Sequence, residues 1–384
     1  MSGRLPLAKV LFEITEDNLE TGQRGYPTGY CTTSSVDPQK GLIYAGHPLT
    51  EVYEWAPEEV IHLLYHGKKG SFSSVLQKRA DLSPKVVAGI RALPREGHPM
   101  KLFSMAILLL GIHEGTGDYR EDCLNMIAKA PQLVAEVINH HAGWGETPLS
   151  KPELGYMENF TQMVRVPDSN PDILGRIFRL FNVLHYDHGG GNLSAFTGKA
   201  IASGLADMYS SLSGAMCALA GPRHGRANQD CLEFVQQALD RVGPDATTEQ
   251  VEALIRDLVA NKQLVFGFGH AVLRVEDPRA TIWYTVAEQL FPDHPLVKIG
   301  LRLREAGPRV LKENPRIVNP YPNVDAMSGS VLSAAGFSYP DYFTLLFGLA
   351  RCVGISIQIV YERLEARSGK GTPIIRPKYL YKPR

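Results

Sequence analysis

The chain has 384 residues, 44% of them hydrophobic, with 40 Lys+Arg against 40 Asp+Glu and a formal net charge of zero. That length and apolar content fill one large or two unequal cores, and the balanced charge excludes the basic field that sequence-independent nucleic-acid binding requires. Five scattered cysteines (Cys31, Cys123, Cys217, Cys231, Cys352) without Cys-x-x-Cys spacing exclude a disulfide framework or a zinc ribbon and point to a reducing cytosol; a mature mitochondrial form would have the same composition.

In chain order, Met1–Lys9 lacks the apolar core of a signal peptide and is too short and proline-broken for a transit helix. What β character there is lies in Gly29–Ser35 and Gly41–Ala45, joined by the turn former Asp37-Pro-Gln-Lys40, which predicts a small N-terminal hairpin. Ser83-Pro-Lys85 reads as the start of a helix. Met105–Ile112 and Phe343–Ile359 are the most apolar stretches, and neither reads as a membrane span, the first being too short and the second interrupted by Arg351. Ser194–Ala220, rich in Ala, Ser and Gly, predicts a closely packed helix suited to a deep core or a subunit contact. Leu232, Val235, Leu239 and Val242 share one helical face, as do Val251, Leu254 and Leu258. The expected fold is all-α, mainly helical, with that one hairpin.

Three segments carry chemistry. Gly221-Pro-Arg-His-Gly-Arg-Ala-Asn228 and Gly267-Phe-Gly-His-Ala-Val-Leu-Arg274 each set a histidine (His224, His270) beside glycines, where a substrate can approach the ring, and Asn323-Val-Asp-Ala-Met-Ser-Gly329 offers Asp325. His185-Tyr-Asp-His188 followed by three glycines reads either as part of a metal-ligand cluster or as histidines hydrogen-bonded in a turn. Arg351 sits in an otherwise apolar helix and needs an anion, either a buried Asp or Glu or a substrate carboxylate taken in bidentate fashion. Arg279 and Arg376, taken singly, are surface candidates.

With Asp187–Thr197, Gly221–Gln229, Gly267–Arg279 and Pro322–Gly329 in this order and spacing, the chain resembles the citrate synthase family along nearly its whole length. Arg24-Gly25, Ser35–Gly41, Gly46-His-Pro-Leu49 and His98-Pro-Met100 agree with it. The resemblance implies a large helical domain (1–225 and 337–384) with an inserted small helical domain (226–336) that closes over substrate. It implies an acyltransferase of the tricarboxylic acid cycle that condenses acetyl-CoA with oxaloacetate and hydrolyses citryl-CoA, with no metal and no cofactor. Asp325 becomes the base on acetyl-CoA, His224 the donor to the thioester oxygen and His270 the donor to the oxaloacetate carbonyl. His188, Arg279, Arg351 and Arg376 become the oxaloacetate ligands, Arg376 reaching across a homodimer. Arg24, Leu264, Val265, Phe266, Gly267, Gly269, Arg274 and Asn323 become CoA contacts.

The chain departs from the family pattern at Ala45, where an arginine is common, and at Arg223 and Arg226, where small or apolar residues are usual. Those arginines read either as electrostatic compensation or as surface charge. A 2-methylcitrate synthase acting on propionyl-CoA is the nearest alternative, since one methylene is worth only about 1–3 kcal/mol of discrimination. A metallohydrolase built on His185, Asp187 and His188 and a non-catalytic helical scaffold are the remote ones. The length further predicts a simple dimer without nucleotide inhibition.

Overall fold

The computed structural model describes residues 9–383, so Met1–Ala8 of the opening segment read above for targeting signals lie outside the described residues. Strands β1 (Ser34–Asp37), β2 (Gly41–Tyr44) and β3 (His47–Pro48) form one antiparallel sheet in that order, with Ser34 opposite Tyr44 and Tyr44 opposite His47. The predicted hairpin is present, with two corrections. Its first strand begins at Ser34 rather than Gly29, and a third strand follows because Ala45 (φ 45°) and Gly46 (φ 89°) both adopt the left-handed region that a tight two-residue turn demands. At the other turn Asp37 Oδ1 accepts from the backbone N–H groups of Gln39 and Lys40, both at 2.8 Å.

The remaining regular structure among the described residues is helical. The central element is Phe343–Val360, whose apolar residues are buried apart from the half-buried Phe347 and which packs against helices Tyr119–Ala142, Pro171–His185, Leu193–Ser203 and Met208–Leu219. Close approach is bought with glycine: a Cβ on Gly348 would lie 2.9 Å from Phe103, and one on Gly354 only 2.4 Å from the Tyr186 carbonyl oxygen and 2.5 Å from Asp187. Asp118 caps the long Tyr119 helix by accepting from Arg120 and Glu121 N–H, and Gly143 ends it at φ 73°.

The Ser194–Ala220 segment is two helices rather than one. They break at Gly204–Ala206, with Leu205 at φ 65°, and fold back on each other, the missing side chain of Gly214 leaving room for Ile201. Pro84 opens its helix at the first position as expected, but the Ser83 hydroxyl makes no capping bond; the Ser83 N–H instead donates to Glu114 Oε1 at 2.8 Å. A second group of helices, Ala227–Val242, Thr248–Ala260, Pro278–Leu290, Pro295–Leu311 and Asp325–Ala334, packs chiefly within itself. It meets the first group where Asp325–Ala334 crosses Pro171–His185, where Ala227–Val242 meets Phe343–Val360, and where Pro278 fills the space left by Gly41.

Candidate active site

The floor of the site is built from the sheet and the end of Pro171–His185. Tyr44 OH donates to the Val183 carbonyl at 3.0 Å and accepts from Asp187 N–H at 3.3 Å. The Asp187 carboxylate, fully buried, is held by the hydroxyls of Thr33 and Ser34 and by Gln358 Nε2 at 2.7 Å. Ser34 Oγ also accepts from Gly189 N–H at 2.7 Å. Asp187 thus clasps the turn that presents His188.

Arg351 projects from the central helix beneath this turn. It is 1% exposed, donates from Nε to the His185 carbonyl at 3.0 Å, and lies over the Phe347 ring at 4.7 Å. No carboxylate pairs with it among the described residues, and its Nη1 is buried without a hydrogen-bond partner. Burial pulls its guanidinium down to about 10, against the favourable field of Asp187. A buried cation with an unpartnered edge is costly to fold.

Around it stand three neutral imidazoles. The His188 ring centroid lies 5.3 Å from that of His270, and burial, reinforced by Arg279, Arg351 and His270, holds His188 well below the usual histidine range. His270 Nδ1 accepts from the N–H groups of Val272 and Leu273, both at 3.0 Å, so its proton resides on Nε2, which is left to donate outward. Burial and Arg279 lower this histidine too. His224 Nε2 faces Ser194, 2.9 Å from Oγ and 3.3 Å from the backbone N–H. An N–H aimed at Nε2 makes that nitrogen the acceptor and leaves the proton on Nδ1. Burial, then Arg351, bring His224 down to about 4, so it too is neutral at pH 7.

Asp325 begins its helix, its own N–H donating to Asn323 Oδ1 at 3.0 Å. Its Oδ1 accepts from Asn228 Nδ2 at 3.0 Å. Burial raises its carboxyl above the ordinary value while the Asn228 bond opposes the rise, which makes a better base of it than an exposed aspartate. Arg279 is corrected from surface candidate to buried residue, 3% exposed, with Nη2 2.7 Å from Asp277 Oδ2. Burial works against its charge, and the Asp277 carboxylate more than offsets this. Arg279 and Arg351 both act on His188, Arg351 on His224, and Arg279 on His270 and Asp325, so these groups share one electrostatic neighbourhood, within which the His188 and His270 rings are neighbours.

The remaining candidates are arranged differently. Arg376 lies exposed on the extended C-terminal tail, which touches its own chain through Ile375 N–H donating to Ser203 Oγ at 3.0 Å. Arg24 is exposed in an N-terminal turn, and Leu264 is 72% exposed at the start of the loop that runs through Val265, Phe266, Gly267 and Gly269. That loop is stitched to the Asp325 segment: Asn323 N–H donates to the Gly267 carbonyl at 2.9 Å, Asn323 Nδ2 to the Gly269 carbonyl at 3.1 Å, and Gly269 N–H to the Tyr321 carbonyl at 3.0 Å. Arg274 N–H donates to the Pro38 carbonyl at 2.9 Å, and its Nη1 caps carbonyls of its own loop, the shortest to Leu273 at 2.8 Å. Arg226 pairs with Asp230 at 3.5 Å, and Arg223 is exposed.

The metal reading of His185, Asp187 and His188 fails on direction. His185 Nδ1 bonds the Phe181 carbonyl at 2.7 Å in an apolar slot, where burial lowers it to about 3, Asp187 spends both oxygens on hydroxyls and an amide, and His188 turns toward His270. No group of three or more His, Cys, Asp or Glu side chains suited to a metal ion occurs among the described residues. Sequence reasoning missed Asp277, Asn228 and Ser194 as partners of site residues, although all three lie inside the quoted motifs.

Residues 22–378 match the family model described as "Citrate synthase, C-terminal domain". The chain is 35% identical over 398 residues to the mitochondrial citrate synthase of Citrus maxima, covering 96% of this chain and 83% of that one. It is 34% identical to citrate synthase 4, mitochondrial, of Arabidopsis thaliana, covering 96% and 82%. Its fold superposes on citrate synthase from Thermotoga maritima MSB8 with a TM-score of 0.80 at 26% identity, covering 95% and 96% of the two chains. A TM-score of 0.81 at 26% identity, covering 94% and 96%, relates it to the Thermoplasma acidophilum citrate synthase solved as a ternary complex with carboxymethyl coenzyme A and oxaloacetate. With the family's motifs folded around one buried centre and likeness along nearly the whole length, the chain belongs to the citrate synthase family.

Proposed function

We propose that this protein condenses acetyl-CoA with oxaloacetate and releases citrate and CoA. The observation that carries the reading is Arg351, a guanidinium 1% exposed whose Nη1 is buried without a hydrogen-bond partner, with which no carboxylate pairs among the described residues, and whose field reaches neutral His188 and His224. A substrate dicarboxylate satisfies it, with Arg279 as the second cation and His188 as a hydrogen-bond partner.

In this mechanism Asp325 takes a proton from the acetyl methyl group while the Nδ1–H of His224 stabilises the developing enolate oxygen. The enolate carbon then bonds to the oxaloacetate carbonyl carbon, whose developing oxyanion accepts a hydrogen bond from the Nε2–H of His270, and the proton removed by Asp325 balances the one the resulting hydroxyl acquires. Water cleaves the resulting thioester to a carboxylate and the CoA thiol. No metal or cofactor enters any step, because two neutral imidazole donors do the work a Lewis acid would do.

Two larger elements belong to the same reading. His188 and Arg351 stand on the first helix group and His270, Arg279 and Asp325 on the second, so closure of a small domain (226–336) over oxaloacetate brings base and electrophile together and sheds water. Arg376, exposed on the C-terminal tail, completes the site of a second copy in a homodimer, and Arg24, Arg274, Asn323 and the Leu264–Gly269 loop line the CoA path. Met105, Leu108 and Ile112 fit the dimer, being 45%, 40% and 75% exposed at one-turn spacing on helix Pro99–Glu114. The "mitochondrial" in the relatives' names lends no support to the cytosolic compartment expected from cysteine usage.

The test is oxaloacetate-dependent release of CoA thiol from acetyl-CoA and, in parallel, from propionyl-CoA. A higher kcat/KM with acetyl-CoA is expected. A preference for propionyl-CoA reassigns the protein to 2-methylcitrate synthesis, and no thiol from either overturns the reading.

A further inference from the structure

A second cavity of about 600 Å³ opens on the far side of helix Pro278–Leu290. Its walls are that helix, the end of the short Leu49–Val52 helix with Tyr53 and Glu54, and the Arg176–Leu180 stretch of helix Pro171–His185. None of His188, His224, His270, Asp325 or Arg351 lines it. Its volume falls within the range of about 300–1,000 Å³ that small-molecule sites occupy.

The lining is sorted by chemistry. Ile177, Leu180, Ile282 and Val286 supply buried or half-buried apolar walls, while Arg176, Thr281, Thr285 and Gln289 stand exposed at the rim. Arg179 is fixed by donating from Nη2 to the carbonyls of Glu54 and Trp55, the latter at 2.9 Å, which aims a rigid guanidinium along one wall. Arg176, one turn away, joins no ion pair among the described residues. The one lining carboxylate, Glu54, accepts from Tyr53 OH at 3.1 Å. Two guanidiniums against one engaged carboxylate favour an anion, and the apolar walls favour a body that is not.

We propose that this cavity is a second ligand site, separate from the reaction centre, for a small amphipathic anion: an apolar body lying between Ile177 and Val286 with its acid on Arg176 and Arg179. Both walls continue into the reaction centre. Helix Pro171–His185 ends on the carbonyl that anchors Arg351, and helix Pro278–Leu290 begins at the buried Asp277–Arg279 pair. An occupant therefore touches the two elements whose spacing sets the oxaloacetate pocket.

The probe is 8-anilinonaphthalene-1-sulfonate, titrated by fluorescence into the full chain, with no turnover needed, so this test stands or falls apart from the assigned reaction. Saturable binding of one probe per chain is expected, and it persists with saturating oxaloacetate and CoA. Thr285→Trp, which fills the cavity from its exposed rim, abolishes it, and the surface change Arg176→Glu weakens it about tenfold through loss of one charge-assisted contact and a reversed field. Unchanged affinity in Arg176→Glu, or displacement of the probe by oxaloacetate or CoA, overturns the proposal; should Thr285→Trp fail to fold, the Arg176 variant and the competition decide.

Discussion

Asn228 donates one amide hydrogen to Asp325 Oδ1 at 3.0 Å and its amide also reaches Ser328 Oγ at 2.5 Å. The end of the His224 motif thereby holds the carboxyl of the Asp325 motif and offsets part of the rise that burial imposes on it. Asn228→Ala removes a bond made to the ionised form, so the acid limb of kcat/KM moves upward by about one pH unit. Oxaloacetate affinity stays near that of the parent. A pH–rate profile checks this; a limb left in place with uniformly lower activity argues that Asn228 only supports the fold.

Arg351 is the clearest conflict between stability and function. Its buried charge lacks a carboxylate, so Arg351→Met keeps most of the side-chain volume and removes the desolvation cost, at the loss of one bond to the His185 carbonyl. The variant keeps or raises Tm. Its oxaloacetate KM rises at least about 100-fold, as for truncation of one partner in a buried charged pair. Wild type gains stability from oxaloacetate, about 2.7 kcal/mol at 100 times Kd, and the variant gains none. Thermal melts with and without oxaloacetate read both effects.

Acid should unfold the protein through its histidines. An unfolded imidazole titrates near 6.5, whereas His185 is lowered to about 3 and His224 to about 4, both first by burial. The unfolded chain therefore binds more protons across that interval. The stability each group contributes is present above 6.5 and is lost as pH falls toward its folded value, at up to about 1.4 kcal/mol per pH unit for each group. Asp325, raised instead, contributes the opposite slope. Denaturant midpoints between pH 7 and 4.5 should fall, and His185→Phe, which cannot take up a proton, should flatten the curve.

Arg376 and Asp325 offer a test of shared sites. If each site takes Asp325 from one chain and Arg376 from the other, a mixed dimer of Asp325→Ala and Arg376→Ala chains contains one doubly defective site and one intact site. Random mixing of the two inactive variants then restores about one quarter of wild-type activity. Subunit exchange followed by a thiol assay measures this, and no recovery in a verified mixed dimer places Arg376 outside the site.

Much of this was legible in the chain because the site residues stand in short glycine-bearing motifs, and the Phe343 helix announced Arg351 by its apolar surroundings. What was not legible depends on tertiary contact. Arg279 read as surface because its partner Asp277, two residues away, doubles as a helix cap, and spacing alone does not show a side chain folding back on its own helix start. The break at Leu205 was hidden by small residues that permit a helix as readily as a turn. The third strand depended on Ala45 accepting a positive φ, which propensity argues against.

The central claim is that Asp325 is the base of a CoA-thioester condensation. Its most direct measurement is oxaloacetate-dependent thiol release from acetyl-CoA by wild type and Asp325→Ala at matched oxaloacetate occupancy, with folding and dimer mass verified. The account predicts a loss of at least about 100-fold in kcat with oxaloacetate binding retained, as expected for removal of a positioned base. A variant that turns over within a few-fold of wild type would contradict it.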